Sequence, residues 1–183
     1  EDSGEKEITD IIFDIKPNAI GIGVGIGTSD NITNALTRFL ETNNTPLVID
    51  ADAINIISHN KELLNHLPKH TILTPHPKEL SRLIGAWDND FEKIDKTIAL
   101  AKEHNIIVII KGAHTTIISP NEVYVNSSGS PALATAGSGD VLTGIITSLL
   151  AQGYPALQAA QIGVYLHGLT ANITSQNIHP FSF

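Results

Sequence analysis

Ile106-Ile107-Val108-Ile109-Ile110 runs directly into Lys111-Gly112-Ala113-His114-Thr115. Alternate side chains of a strand point to opposite faces, so five β-branched residues in a row leave no face for water. Such a run marks a strand buried on both sides, as in a parallel sheet covered by helices. The segment after it is polar and contains glycine, and it sits at the strand's carboxyl end. The same arrangement recurs towards the N-terminus. Ala19-Ile20-Gly21-Ile22-Gly23 reads as a strand, and further glycines follow it up to Gly27. Leu47-Val48-Ile49 is succeeded by Asp50-Ala51-Asp52, and Thr71-Ile72-Leu73 by Thr74-Pro75-His76. Helices are predicted between them, over 31–41 and 91–104, the second from Phe91, Ile94, Ile98 and Ala101 at spacings of three and four. A hairpin is expected from Thr115-Thr116-Ile117-Ile118 and Glu122-Val123-Tyr124-Val125, turning at Ser119-Pro120-Asn121. Two helices over 138–152 and 156–175 complete the pattern. The predicted fold class is α/β, a mostly parallel central sheet with helices on both faces. In such sheets ligands bind beyond the carboxyl ends of the strands. Four polar clusters at such ends predict one cleft.

Composition narrows the function classes. The 183 residues are 42% hydrophobic and 16% charged, with a net charge of −8. This is the balance of a folded globular chain, and its sign argues against nucleic-acid binding through a broad basic face. A nucleotide remains compatible, because a local nest of backbone N–H groups can hold an anion despite net charge. There is no cysteine, so thiolate nucleophiles and disulfides are excluded. No apolar run reaches the ~18 residues of a membrane span, and the acidic start, Glu1-Asp2-Ser3-Gly4-Glu5, is the opposite of a signal peptide. The expected compartment is the cytoplasm, with no membrane partner.

The loop Ala134-Thr135-Ala136-Gly137-Ser138-Gly139-Asp140 opens an almost wholly apolar helix, Val141-Leu142-Thr143-Gly144-Ile145-Ile146. Glycines permit a tight turn, and the helix start adds a positive dipole end, which makes an anion site. Asp140 reads either as an ordinary first-turn carboxylate or as a general base beside a bound phosphate. The glycines at 21, 23, 25 and 27 do not fit the dinucleotide fingerprint, because the sixth position is Ile26 from Gly21 and Thr28 from Gly23. They read as a tight turn or as a close ligand contact. No P-loop motif occurs.

His76, between Pro75 and Pro77, is expected in a stiff loop that excludes helix. It reads as a ligand contact or as an exposed histidine. Asp50 and Asp52 are expected to open a loop and to touch Mg²⁺ or a hydroxyl, or else to cap a helix near Ile54. Lys111 offers a point charge to a phosphate, or is an exposed strand-end lysine. His66 and His70 are four apart, but Pro68 breaks the helix that would align them, so no metal site is assigned.

Taken together, Gly23-Val24-Gly25-Ile26-Gly27, Asp50-Ala51-Asp52-Ala53-Ile54-Asn55, Leu73-Thr74-Pro75-His76-Pro77, Lys111-Gly112-Ala113-His114-Thr115 and the segment from Ala134 to Gly144 resemble the NAD(P)H-hydrate dehydratase family. This is a repair-enzyme branch of the ribokinase-like superfamily. The match runs in order from about Ala19 to about Asn172. The resemblance implies an ADP- or ATP-dependent hydro-lyase that restores NADH or NADPH from the ring-hydrated form, NAD(P)HX, through a phosphorylated intermediate, with Mg²⁺ accompanying the donor. It implies Asp140 as catalytic base, and Gly27, His76 and Asp140 as contacts of the hydrated substrate. It implies Lys111, Gly112, Ala113, His114, Thr115, Gly137, Ser138 and Gly139 as contacts of the nucleotide. A homotetramer, and an epimerase domain in the same or another chain, are further expectations from the family. Val24 and Ile26 replace the family's usual proline and leucine, and Ser130-Pro131-Ala132-Leu133 replaces its usual Asn-x-Gly-Met. The expected organisation is one ribokinase-like domain over 1–183 that lacks N- and C-terminal parts of the family domain. The competing reading is a ribokinase-like kinase of a small pyrimidine, thiazole or pyridoxal-type alcohol.

Overall fold

The computed structural model describes residues 8–129 and 133–177. The acidic start at 1–5, the departure at 130–132 and the last residues, 181–183, lie outside the described residues. Among the described residues six strands form one sheet in the order of the sequence: β1 (Ile20–Ile22), β2 (Leu47–Ile49), β3 (Ile72–Leu73), β4 (Ile107–Ile110), β5 (Thr116–Ile118) and β6 (Val123–Val125). The first four run parallel, β5 turns back against β4, and β6 pairs antiparallel with β5. The helices are α1 (Asp30–Thr42), α2 (Ala51–His59), α3 (Pro77–Ile84), α4 (Asp90–His104), α5 (Ser138–Ala151) and α6 (Ala156–Asn177). A 3₁₀ turn, Lys61–His66, follows α2.

The strand alternation divides the core in two. Leu47, Ile49, Leu73, Val108, Ile110 and Ile118 face α1, α2, α3 and α4 in one layer. Val48, Ile72, Ile107, Ile109 and Ile117 face α5 and α6 in the other. Both faces of β4 are therefore buried, as its four consecutive β-branched residues require. Burying one such side chain stabilises the fold by ~1.5–3 kcal/mol, so the sheet's centre is set by hydrophobic content alone.

Three local readings are corrected. Pro77 does not keep helix out: it is the first residue of α3, where a missing N–H costs nothing, and His76 is the N-cap. Asp50 does not open a loop; its capping alternative is the one observed, as N-cap of α2. In α4 Ile94, Ile98 and Ala101 pack on the core as expected, with Thr97 and Leu100 buried beside them, but Phe91, in the first turn, does not and is 83% exposed.

The ladder continues past the formal strand ends. Asp50 N–H donates to Ile22 O (3.0 Å), Thr74 N–H to Ile49 O (3.0 Å) and Lys111 N–H to Pro75 O (2.9 Å). These bonds hold the segments after β1, β2, β3 and β4 in register at one rim of the sheet.

Candidate active site

At that rim, Asp50 is almost wholly buried, with 1% of its surface exposed. A buried carboxylate needs partners for its charge, and Asp50 has three. Lys111 Nζ donates to Oδ1 at 2.6 Å, the Ala51 N–H donates to the same oxygen at 2.8 Å, and Thr143 Oγ1 donates to Oδ2 at 2.9 Å. One side chain thereby joins the ends of β2 and β4 to the second turn of α5. Of the two readings of Asp50 the cap is the one observed, and its pairing with Lys111 belongs to neither residue's readings from sequence.

The chain around Asp50 is conformationally demanding. Ala51 adopts φ 48°, a left-handed conformation that a Cβ disfavours by about 1–2 kcal/mol. Gly23 has φ 125°, and a Cβ there would run into the Asp50 carbonyl oxygen. Asp52 N–H donates to Gly23 O at 3.1 Å, and Asp52 Oδ2 accepts from Gly27 N–H at 2.9 Å. The loop after β1 is thus tied to the start of α2. Strain held by surrounding structure clusters at functional sites.

The α5 amino end comes next. Gly137 is its N-cap with φ 83°, and among the described residues no side chain caps this end. Ser138, Gly139 and Asp140 form the first turn. The two glycines do different work. Gly137 supplies the left-handed turn. Gly139 is helical and supplies room: a Cβ on it would stand 3.3 Å from Lys111 Nζ and 3.7 Å from Asp50 Oδ2. The lysine therefore reaches under the first turn of the helix, where the uncapped N–H groups already favour an anion.

Two hollows flank this turn. One, of about 540 Å³, is lined by Lys111, Gly112, Ala113, Thr115, Ser138 and Gly139, with Leu133, Leu142 and Val164 as apolar wall. The other, of about 560 Å³, holds Asp140 together with Gly21, Gly23, Val24, Ile26 and Gly144. Both volumes suit a small-molecule ligand. Six of the eight residues expected at the nucleotide meet in the first hollow. His114 and Gly137 do not line it: His114 is exposed, its carbonyl accepting from Thr116 Oγ1, and Gly137 shapes the turn. Asp140 is exposed in the second hollow.

Gly27 and His76 line neither hollow. His76 is occupied locally. Its Nδ1 accepts from Lys78 N–H (3.1 Å) and Glu79 N–H (3.3 Å), and Glu79 Oε2 accepts from the His76 N–H (2.8 Å). This reciprocal pair is a capping box. Nε2 approaches Glu79 Oε1 at 3.2 Å.

Sequence reasoning missed Thr143 and His167. His167 lines the first hollow from α6, and its Nε2 lies 3.2 Å from Ser138 Oγ. Burial pushes its pKa below the usual histidine range, opposed in part by a hydrogen bond with the Ser138 backbone. The available signal was a polar side chain interrupting an apolar helical stretch, Val164-Tyr165-Leu166-His167.

The sheet order, the two helical layers and the glycine-led α5 beside a strand-end lysine define a ribokinase-like α/β protein. A crystal structure of a ribokinase-like superfamily protein from Enterococcus faecalis V583 superposes with a TM-score of 0.75 at 28% identity, covering 87% of this chain and 56% of that one. The family profile for NAD(P)H-hydrate dehydratase matches residues 7–181, and the chain belongs to that family. The ADP-dependent (S)-NAD(P)H-hydrate dehydratase of Neisseria meningitidis serogroup B is 45% identical over 167 residues, which is 87% of this chain and 56% of that protein. The ADP/ATP-dependent NAD(P)H-hydrate dehydratase of Bacillus subtilis, co-crystallised with ATP/Mg²⁺ and soaked with CoA, superposes with a TM-score of 0.74 at 28% identity, covering 96% of this chain and 64% of that one. The chain thus spans little more than half the length of the Neisseria relative. Among the described residues, no helix is long and apolar enough to cross a membrane.

Proposed function

We propose that this chain dehydrates ring-hydrated NADH or NADPH at the expense of ADP or ATP. The observation that carries the reading is the first turn of α5, which stands between two hollows with Asp140 on one side and Lys111, Ser138 and Gly139 on the other. The donor occupies the hollow of Lys111. Its terminal phosphate lies against the uncapped start of α5, where dipole, N–H groups and lysine charge oppose the negative charge of the transferring group. The hydrated nicotinamide occupies the other hollow, its ring hydroxyl towards Asp140.

Asp140 takes the hydroxyl proton as the oxygen attacks phosphorus, and the bond to the departing AMP or ADP breaks. Base assistance of this kind contributes ~10²–10⁴-fold. The phosphorylated carbon then loses phosphate as the ring nitrogen donates its electron pair. Loss of a proton from the adjacent ring carbon restores the double bond, so the net change in the cofactor is loss of water.

Both oxygens of Asp50 are already engaged, so it is not assigned to a metal. Mg²⁺ would enter on the donor's phosphates, its common mode of binding, and would neutralise part of their charge. Gly27 and His76 are assigned to the hydrated substrate on the family resemblance, as His114 and Gly137 are to the nucleotide. The cytoplasm, a homotetramer and a companion epimerase domain complete the proposal on the same ground.

The test is recovery of 340-nm absorbance from hydrated NADH with Mg²⁺ and ADP or ATP. Turnover is expected with the unaltered chain, and Asp140→Asn is expected to lose ~10²–10⁴-fold in kcat while ADP binding stays within about threefold of the unaltered chain, since the carboxylate lies outside the donor hollow. A stable phosphorylated alcohol in place of restored NADH would mean a kinase. Nucleotide binding without turnover in either protein would mean a binding domain.

A further inference from the structure

The chemistry above leaves His167 unused. It projects from α6 into the donor hollow, half-buried, opposite the first turn of α5. Its ring meets Ser138 twice, through Nε2 at 3.2 Å from Oγ and through a hydrogen bond with the Ser138 backbone. Packing alone does not require this contact. The two helices already meet closely at Gly163, where a Cβ would stand 2.6 Å from Ile146 Cγ1, and Ala159, Ala160 and Val164 share a buried cluster with Leu142 and Ile146.

What the contact decides is the direction of one proton. A neutral imidazole carries one N–H and one bare nitrogen. If Nε2 accepts, the serine proton is spent on the ring, and Ser138 turns only lone pairs to the hollow. If Nε2–H donates, Ser138 Oγ is satisfied as an acceptor, and its own proton is free to point at a ligand. A phosphate oxygen beside Ser138 favours the second arrangement, since it repels lone pairs and attracts the proton. Because Gly137 provides no capping side chain, Ser138 is the polar side chain of that turn which faces the donor.

We infer that His167 is a positioning residue for the nucleotide donor, fixing the Ser138 hydroxyl as a hydrogen-bond donor to its phosphate. The inference rests on the donor site proposed above. It assigns the effect to donor affinity and not to the chemical step, because the ring touches Ser138 and not the reacting atoms.

Calorimetric titration of ADP with Mg²⁺ tests it in the unaltered chain, Ser138→Ala, His167→Ala, His167→Gln and the double Ser138→Ala/His167→Ala variant, each with a thermal melt. His167→Ala is expected to weaken ADP about 10-fold, in the range of one hydrogen bond to a charged group. Ser138→Ala is expected to do the same, and the double variant no worse than Ser138→Ala, since the histidine acts through the serine. His167→Gln keeps an N–H donor in reach and is expected to recover most of the affinity. Donor KM should rise in His167→Ala with kcat nearly unchanged. Additive losses in the double variant, a glutamine variant as weak as the alanine one, or an affinity loss that simply follows a lowered melting temperature would overturn the assignment. Unchanged affinity in His167→Ala with normal binding by the unaltered chain overturns the role of His167 alone. Failure of the unaltered chain to bind either ADP or ATP overturns the donor site, and the role of His167 with it.

Discussion

Lys111 carries two duties with one charge. It neutralises Asp50, which is almost fully buried, and it lies under the α5 turn where an anion is expected. Removing one member of a buried pair is costlier than removing both, because the survivor keeps its desolvation without its partner. Lys111→Met should therefore lower the unfolding free energy by ~3 kcal/mol, the low end for such pairs, since Thr143 and the Ala51 N–H still serve Asp50. Adding Asp50→Asn to that variant should recover part of the loss, as a neutral amide no longer needs the ammonium. Urea unfolding of the two variants measures both; a double variant less stable than Lys111→Met would mean that the pair is not the source of the cost. The pairing was not legible from sequence. Asp50 and Lys111 are 61 positions apart, and only the adjacency of strand ends in the folded sheet brings them together.

At the scale of elements, the capping box on α3 gives His76 a structural duty independent of any ligand. His76→Ala removes the Nδ1 acceptor of two first-turn N–H groups and the ring beside buried Glu79, at a cost of ~1 kcal/mol. Asparagine is a strong N-cap, so His76→Asn should unfold in urea within about 0.5 kcal/mol of the unaltered chain. If His76 also contacts the hydrated dinucleotide, the asparagine variant keeps its stability and still shows a raised KM for that substrate; an unchanged KM would leave the histidine as a cap and nothing more. The prolines around His76 were visible in sequence and were read as excluding helix. The structure uses Pro77 as a helix start, because its fixed φ and absent N–H suit the first helical position. The strands were easier to read, since β-branched runs have few other outcomes. The ends moved by about one residue, as at Thr71 and Thr115, whose carbonyls still accept across the sheet from Ile107 N–H and Asn126 N–H.

Across the whole molecule, the sequence placed four polar clusters at one rim of the sheet but predicted a single cleft. The structure divides that rim, because α5 begins inside it and its first turn stands between two hollows. The division follows from topology: β1 lies at one edge of the sheet, β4 is the fourth strand across, and α5 contacts both β1 and β2. Separate hollows make separable perturbations possible. Gly144 lines only the hollow of Asp140, and a Cβ on it meets nothing within 4 Å. Gly144→Leu therefore puts an apolar side chain into that hollow without displacing the backbone, and replacing an interior helical glycine favours the helix by up to about 1 kcal/mol. Folding and ADP affinity should be retained, the latter within about twofold, because the donor hollow is untouched. KM for hydrated NADH should rise on the order of 10-fold, the scale of a few misplaced methylene groups in a binding site. Parallel ADP titration and steady-state kinetics decide the matter. Equal weakening of both ligands would mean that donor and hydrate share one cleft, and the proposed transfer across the first turn of α5 would have to be abandoned.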